Sequence, residues 1–162
     1  MFTKILVPLD RSQRADDVFA KAIKTALDND SQLMLFTALD WDFHLGLGAF
    51  DAIEMETDLS GAFANFQQSQ LEEKLSETRH WLKSYVAQAT EQPIPVQSRC
   101  AGGHPGPLIR DLAQEWEADL IVLGRRGLGG ISEMLLGSVS NYVLHHVACS
   151  VLVVQGQAEI PD

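Results

Sequence analysis

The sequence predicts an α/β fold: a single doubly wound domain, a five-stranded parallel sheet with helices on both faces. Two observations predict it. Short, nearly continuous apolar runs recur along the chain, and strands buried on both faces read this way. Between them lie longer stretches whose apolar residues fall three and four apart, the spacing of helices that bury one face. The resulting order is β-α-β-α-β-α-β-α-β, and the helical connections make right-handed crossovers between parallel strands.

Thr3–Pro8 (TKILVP) is the first buried strand, ended by Pro8 and Asp10. From Ala15 to Leu27 the residues Ala15, Val18, Phe19, Ala22, Ile23, Ala26 and Leu27 form a helical stripe. Gln32–Ala38 (QLMLFTA) is the second strand. Leu39–Asn65 mixes aromatics, acids and glycines without a clean period, and is expected to be a long loop with at most a helical turn. Phe66–Ala89 follows as a long helix, with Leu71, Leu75, Leu82, Val86 and Ala89 on its apolar face. Pro93 and Pro95 bracket the entry to the third strand, Pro95–Cys100. Pro107 suits the first turn of the next helix, where a missing N–H costs nothing, and Leu108, Ile109, Leu112, Ala113 and Trp116 make its inner stripe. Asp119–Leu123 is the fourth strand. Ser138 sits where an N-cap belongs, ahead of Val139, Tyr142, Val143, His146 and Val147. Ser150–Gln155 (SVLVVQ) is the last strand.

The chain has 162 residues, enough for one domain with a sizeable core, here expected over 1–157 with 158–162 as a tail. Its formal net charge of −10 repels phosphate over most of the surface, which argues against nucleic acid as a partner. Any anion site must be built locally. Cys100 and Cys149 form no paired motif and suit a reducing compartment. The opening MFTKILVPLD lacks the apolar stretch of a signal peptide, and no apolar run is long enough to span a membrane. A cytoplasmic protein with no membrane partner is expected.

The stretch GRRGLGGISEMLLGS, residues 124–138, holds five glycines and two arginines. It begins where the fourth strand ends and closes at a helix start. In a doubly wound sheet both places face the ligand. Gly124, Gly127 and Gly137 lack a Cβ and let backbone N–H groups approach a ligand, while Ser138 and Ser140 add hydroxyls. The N–H groups of a helix start favour phosphate, and Arg125 and Arg126 supply charge. The bland alternative is a surface loop before a capped helix. No GK[ST] follows, so this is not a Walker loop, and the first turn, PLDRSQ, lacks the dinucleotide fingerprint.

Gly124, Gly127, Gly137 and Ser138 form G-x2-G-x9-G-S, which resembles the nucleotide motif of ATP-binding universal stress proteins. KILVPLDRS, GHPGPLIRDLAQEWEADLIVLG and CSVLVVQ resemble other parts of that family, so the likeness spans nearly the whole chain. It implies a regulator that binds ATP, or another adenine nucleotide, with Mg²⁺ or Mn²⁺. It also implies that Pro8, Leu9 and Asp10 lie beside the ribose, adenine or metal, and that Ala38 offers backbone groups to the adenine edge. Gly124, Arg126 and Gly127 would wrap the ribose and phosphates, and Gly137, Ser138, Val139 and Ser140 would bind the phosphate chain. Strand two carries Thr37-Ala38 where the family commonly has a histidine-valine pair.

Asp10 reads equally as a ligand of a divalent metal or as a turn-forming residue before the first helix. On a helix His145 and His146 point about 100° apart, so one packed and one solvated histidine is expected rather than a metal pair. His104 suits a turn, His44 takes no role, and Asp51, Glu54, Glu56 and Asp58 read as solubilising acids. Cys100 and Cys149 read as small buried hydrophobes. No nucleophile-base pair is recognisable, so no catalytic residue is assigned and hydrolysis is expected to be slow at most. Two rival functions remain: a nucleotide hydrolase or adenylate-transferring enzyme on the same scaffold, and an interaction module that binds no nucleotide. If the final strand lies at a sheet edge, its uncharged apolar run invites pairing with a second copy, a homodimer that the family resemblance also implies.

Overall fold

The computed structural model describes residues 1–40, 57–125 and 137–155. Its elements are β1 (Lys4–Pro8), α1 (Ala15–Asn29), β2 (Gln32–Leu39), α2 (Thr57–Thr90), β3 (Val96–Gly102), α3 (Pro105–Glu115), β4 (Leu120–Gly124), α4 (Ser138–His146) and β5 (Ser150–Val154). The strands form one parallel sheet in the order β3-β2-β1-β4-β5. The chain builds outward from β1 to β3, then restarts on the other side at β4. Strand order therefore reverses between β1 and β4, where ligand crevices open in such sheets.

The core divides by strand parity. Ile5, Val7, Leu33, Leu35, Leu120 and Val122 point to one face, against Val18, Phe19, Ala22 and Ala26 of α1 and Leu82, Tyr85 and Ala89 of α2. Leu6, Met34, Phe36, Ile121 and Leu123 point to the other, against Ile109, Leu112 and Ala113 of α3 and Val143 of α4. Alternate side chains on a strand leave opposite faces, so a strand covered on both sides must be apolar at nearly every position. Each large aliphatic side chain fully buried this way contributes roughly 1.5–3 kcal/mol.

The expected elements all form, with changed ends. The largest change lies in Leu39–Asn65: Leu39 completes β2, and Thr57–Asn65 belongs to α2. Gly61 reads locally as a break, yet one glycine costs a helix only about 1 kcal/mol, and Leu59, Ala62 and Ala64 are good helix formers. The remaining part, 41–56, lies outside the described residues, as do His44, Asp51, Glu54 and Glu56. α3 begins at Pro105, with Pro107 still in its first turn. Gly137, not Ser138, is the N-cap of α4, and Ser138 is its first helical residue.

The histidine pair also differs from expectation. His145 and His146 are both exposed. The His146 ring stacks on Tyr142 at 3.9 Å, with its Nδ1 2.7 Å from the Tyr142 carbonyl oxygen. A residue one helical turn away gives this ring a partner outside the core. Cys100 and Cys149 are half-buried free thiols rather than fully buried ones. Burial pushes both thiols above their ordinary pKa, against an opposing effect of Arg79 on Cys100 and of a backbone hydrogen bond on Cys149.

Candidate functional site

A cleft of about 470 Å³ opens at the carboxyl ends of β1, β2 and β4. That volume is in the range of small-ligand pockets. Pro8, Leu9 and Asp10 line it from the exit of β1, and Ala38 and Asp40 from the end of β2. Gly124 and Arg125 line it from the exit of β4. The start of α4 closes it with Gly137, Ser138, Val139 and Ser140. Arg126 and Gly127 lie outside the described residues.

The β1 wall is tied down by short-range and cross-strand bonds. Asp10 Oδ1 accepts the Ser12 N–H at 3.1 Å, closing a turn two residues on. This is the turn role that the sequence left open beside metal binding, although α1 itself starts later, at Ala15. The Leu9 N–H donates to the Phe36 carbonyl at 2.8 Å. Buried Thr37 donates its hydroxyl to the Leu9 carbonyl at 3.0 Å. Thr37 thus sews the exits of β1 and β2 together, a role that local sequence does not reveal.

The β4 exit is pinned from several sides. The Arg125 N–H donates to the Val154 carbonyl at 3.0 Å. Ser140, buried in the first turn of α4, donates its hydroxyl to the Gly124 carbonyl at 3.0 Å. Arg14 donates Nη1 to the Arg125 carbonyl at 3.2 Å. A Cβ on Gly124 would come within 3.0 Å of Val18 Cγ2, so this glycine lets α1 approach the strand exit. Gly137 has φ −57° and ψ 156°, extended backbone open to any residue. Its value at the cleft is the missing side chain, not a left-handed backbone.

Chemically, the cleft combines an apolar floor of Val18, Phe36, Ile109 and Leu123 with polar walls. α4 turns its N-terminus to the cleft, and the N–H groups of a helix start carry partial positive charge. Among the described residues the cleft lining carries the carboxylates Asp10 and Asp40 and the guanidinium residues Arg14 and Arg125, on a protein of net charge −10. Arg14, Gln13, Ser12 and Asp40 were not singled out by sequence. His104, the N-cap of α3, places Nδ1 3.8 Å from Asp40 Oδ1. Among the described residues no group of three His, Cys, Asp or Glu side chains could hold a metal ion. A cation at Asp10 would therefore need oxygens from the ligand to complete its shell, which suits Mg²⁺ on a polyphosphate.

The fold agrees with what comparisons with known proteins show. The model of the universal stress protein family matches residues 1–155. The universal stress protein Sll1388 of Synechocystis is 44% identical over 154 residues, covering 95% of this chain and 98% of that protein. The solved structure of the hypothetical protein MJ0577 superposes with a TM-score of 0.76 at 22% identity, covering 98% of this chain and 99% of that one. A universal stress protein family member from Arabidopsis thaliana, solved with AMP bound, superposes with a TM-score of 0.64 at 19% identity, covering 97% and 94%. On the family match and the 44% identity, this chain belongs to the universal stress protein family.

Proposed function

We propose that the cleft binds an adenine nucleotide, ATP above all, and that the protein is a nucleotide-dependent regulator in the cytoplasmic stress response. The observation that carries this reading is the start of α4: Gly137, Ser138, Val139 and Ser140 line a cleft at the point where strand order reverses. A helix N-terminus favours a phosphate, and the adjoining apolar floor suits a base. The AMP held by the Arabidopsis family member supports the choice of adenine. In this reading Ala38 meets the adenine edge, Pro8, Leu9 and Asp10 flank the ribose, and Gly124, Arg126 and Gly127 join the wrap around ribose and phosphates. Asp10 would hold Mg²⁺ or Mn²⁺ against the phosphates, and the ion would neutralise their charge. Steady-state hydrolysis falls far below the enzyme median of ~10 s⁻¹, since no positioned base is recognised among the described cleft residues.

The test is mass spectrometry of nucleotide released from freshly purified protein, followed by turnover under saturating ATP and Mg²⁺. An adenine nucleotide at near-stoichiometric amount with slow turnover is expected. Turnover near ~10 s⁻¹ would favour the hydrolase alternative. Protein that carries no nucleotide and binds none on addition would favour an interaction module.

The same reading includes a homodimer through β5. β5 is an edge strand, and Val151, Leu152, Val153 and Val154 remain half-buried. The opposite edge differs: β3 exposes Gln97, Ser98 and Arg99, and Arg99 pairs with Glu115 at 2.9 Å. Charge blunts an edge, and β5 has none. Light scattering should show a dimer that Val153→Pro converts to monomer or aggregate; a dimer indifferent to that change would place the interface elsewhere.

A further inference from the structure

We propose that Arg14 is the charge-recognition residue of this cleft, gripping the phosphate end of the ligand with a guanidinium that the Arg125 carbonyl holds in place. It deepens the nucleotide reading above, but only its phosphate half depends on Arg14. Neither the glycine motif nor the residues carried over from the family include this arginine.

Three observations place it there. Arg14 is half-buried at the start of α1 and lines the cleft. Its Nη1 reaches across to the Arg125 carbonyl, 111 residues away in sequence, so the side chain bridges the exits of β1 and β4. Among the described residues it makes no ion pair, although Asp10 and Asp40 line the same cleft. A guanidinium has five N–H donors in a rigid fork, and one hydrogen bond to a carbonyl leaves most of them for a ligand. A cation without a carboxylate partner, on a protein of net charge −10, is the complement of an anion. The carbonyl bond adds preorganisation: the side chain is ordered before the ligand arrives, so less entropy is lost on binding.

Calorimetry with three probes tests this: adenosine, inorganic tripolyphosphate and ATP with Mg²⁺, each titrated into wild type, Arg14→Gln and Arg14→Lys at two salt concentrations. Circular dichroism and a thermal melt establish that the variants fold. Arg14→Gln should weaken tripolyphosphate and ATP by about tenfold, the loss expected for one charge-assisted hydrogen bond, and leave adenosine within about twofold. Arg14→Lys should recover part of the affinity and most of the salt dependence, because salt screens charge and not shape. Equal weakening of adenosine and tripolyphosphate would mean that Arg14 only props the cleft open, and would overturn the proposal. So would unchanged tripolyphosphate affinity in Arg14→Gln, or a wild type that binds no tripolyphosphate. A wild type that binds tripolyphosphate through Arg14 but ignores adenosine would keep the proposal and overturn the adenine reading.

Discussion

The two ends of the sheet use similar polar groups in opposite ways. At the amino ends, Asp119 accepts the Thr3 N–H and hydroxyl at 2.7 Å each and the Lys4 N–H at 3.1 Å. Lys4 in turn donates Nζ to the Trp116 carbonyl at 3.1 Å and to Glu117 at 3.2 Å. Ser31 donates its hydroxyl to the Phe2 carbonyl at 2.7 Å. These donors and acceptors satisfy one another, and they fasten the start of β1 to the starts of β2 and β4. At the carboxyl ends, Arg14, Arg125, Ser138 and the start of α4 border a cavity. The comparison teaches that residue type alone does not mark a site. Asp119 and Asp10 both answer the protein's own backbone, but Asp10, with Arg14 and Arg125, also borders a volume large enough for a small ligand.

Substitutions at each end should therefore separate binding from stability. The largest effect is expected from Gly137→Val: a branched side chain on the cleft wall occupies ligand space, so ATP binding by calorimetry should be lost. Because the Gly137 backbone is extended, the melting temperature should change little. A large fall in stability would show that this glycine serves the fold.

Asp119→Ala is the converse. Losing a carboxylate that answers the backbone should cost about 1–3 kcal/mol in urea unfolding, with ATP affinity unchanged. Partial burial works to raise the Asp119 pKa, but hydrogen bonds from Thr3 and Lys4 together outweigh it and hold the carboxyl below its ordinary value of 3.8. Unfolding then takes up protons, so stability rises with pH across this interval. The Asp119 contribution is complete above 3.8 and disappears as pH falls through the lowered folded-state value. Wild type and Asp119→Ala should accordingly converge in acid.

The smallest effect belongs to Gly106→Ala. A Cβ there would sit 2.8 Å from Tyr142 Cδ1, where α3 packs on α4. Arg110 holds the same ring by a 2.8 Å hydrogen bond to its hydroxyl, so the ring cannot simply swing away. Overpacking of this kind should cost about 1 kcal/mol in a thermal melt and weaken ATP a few-fold by shifting α4. Unaltered binding would mean that α4 tolerates such a shift.

The fold was legible because its signals are local. Leu120–Leu123 and Leu33–Phe36 read as strands buried on both faces, whereas the reversal between β1 and β4 belongs to the sheet order, which no single run carries. The start of α2 was not legible, since Gly61 imitates a break and the flanking residues show no stripe. The glycine motif pointed to the carboxyl end of the sheet, and the residues around Gly137 that it named line the cleft there. The reasons for individual residues were hidden wherever a distant partner decides them. Gly124 answers to Val18, Thr37 to Leu9, and Arg14 to Arg125. Nothing in DRSQR says that its second arginine crosses to β4, because that contact exists only after the sheet has formed.

Amide hydrogen exchange, with and without ATP and Mg²⁺, tests most directly that the ligand end is the carboxyl end. The account predicts slower exchange on ATP addition at Asp10–Ala15 and at Ser138–Ser140, and no change at Thr3, Lys4 and Asp119. Slowing at Thr3, Lys4 and Asp119, or no slowing anywhere at saturating ATP, would contradict it.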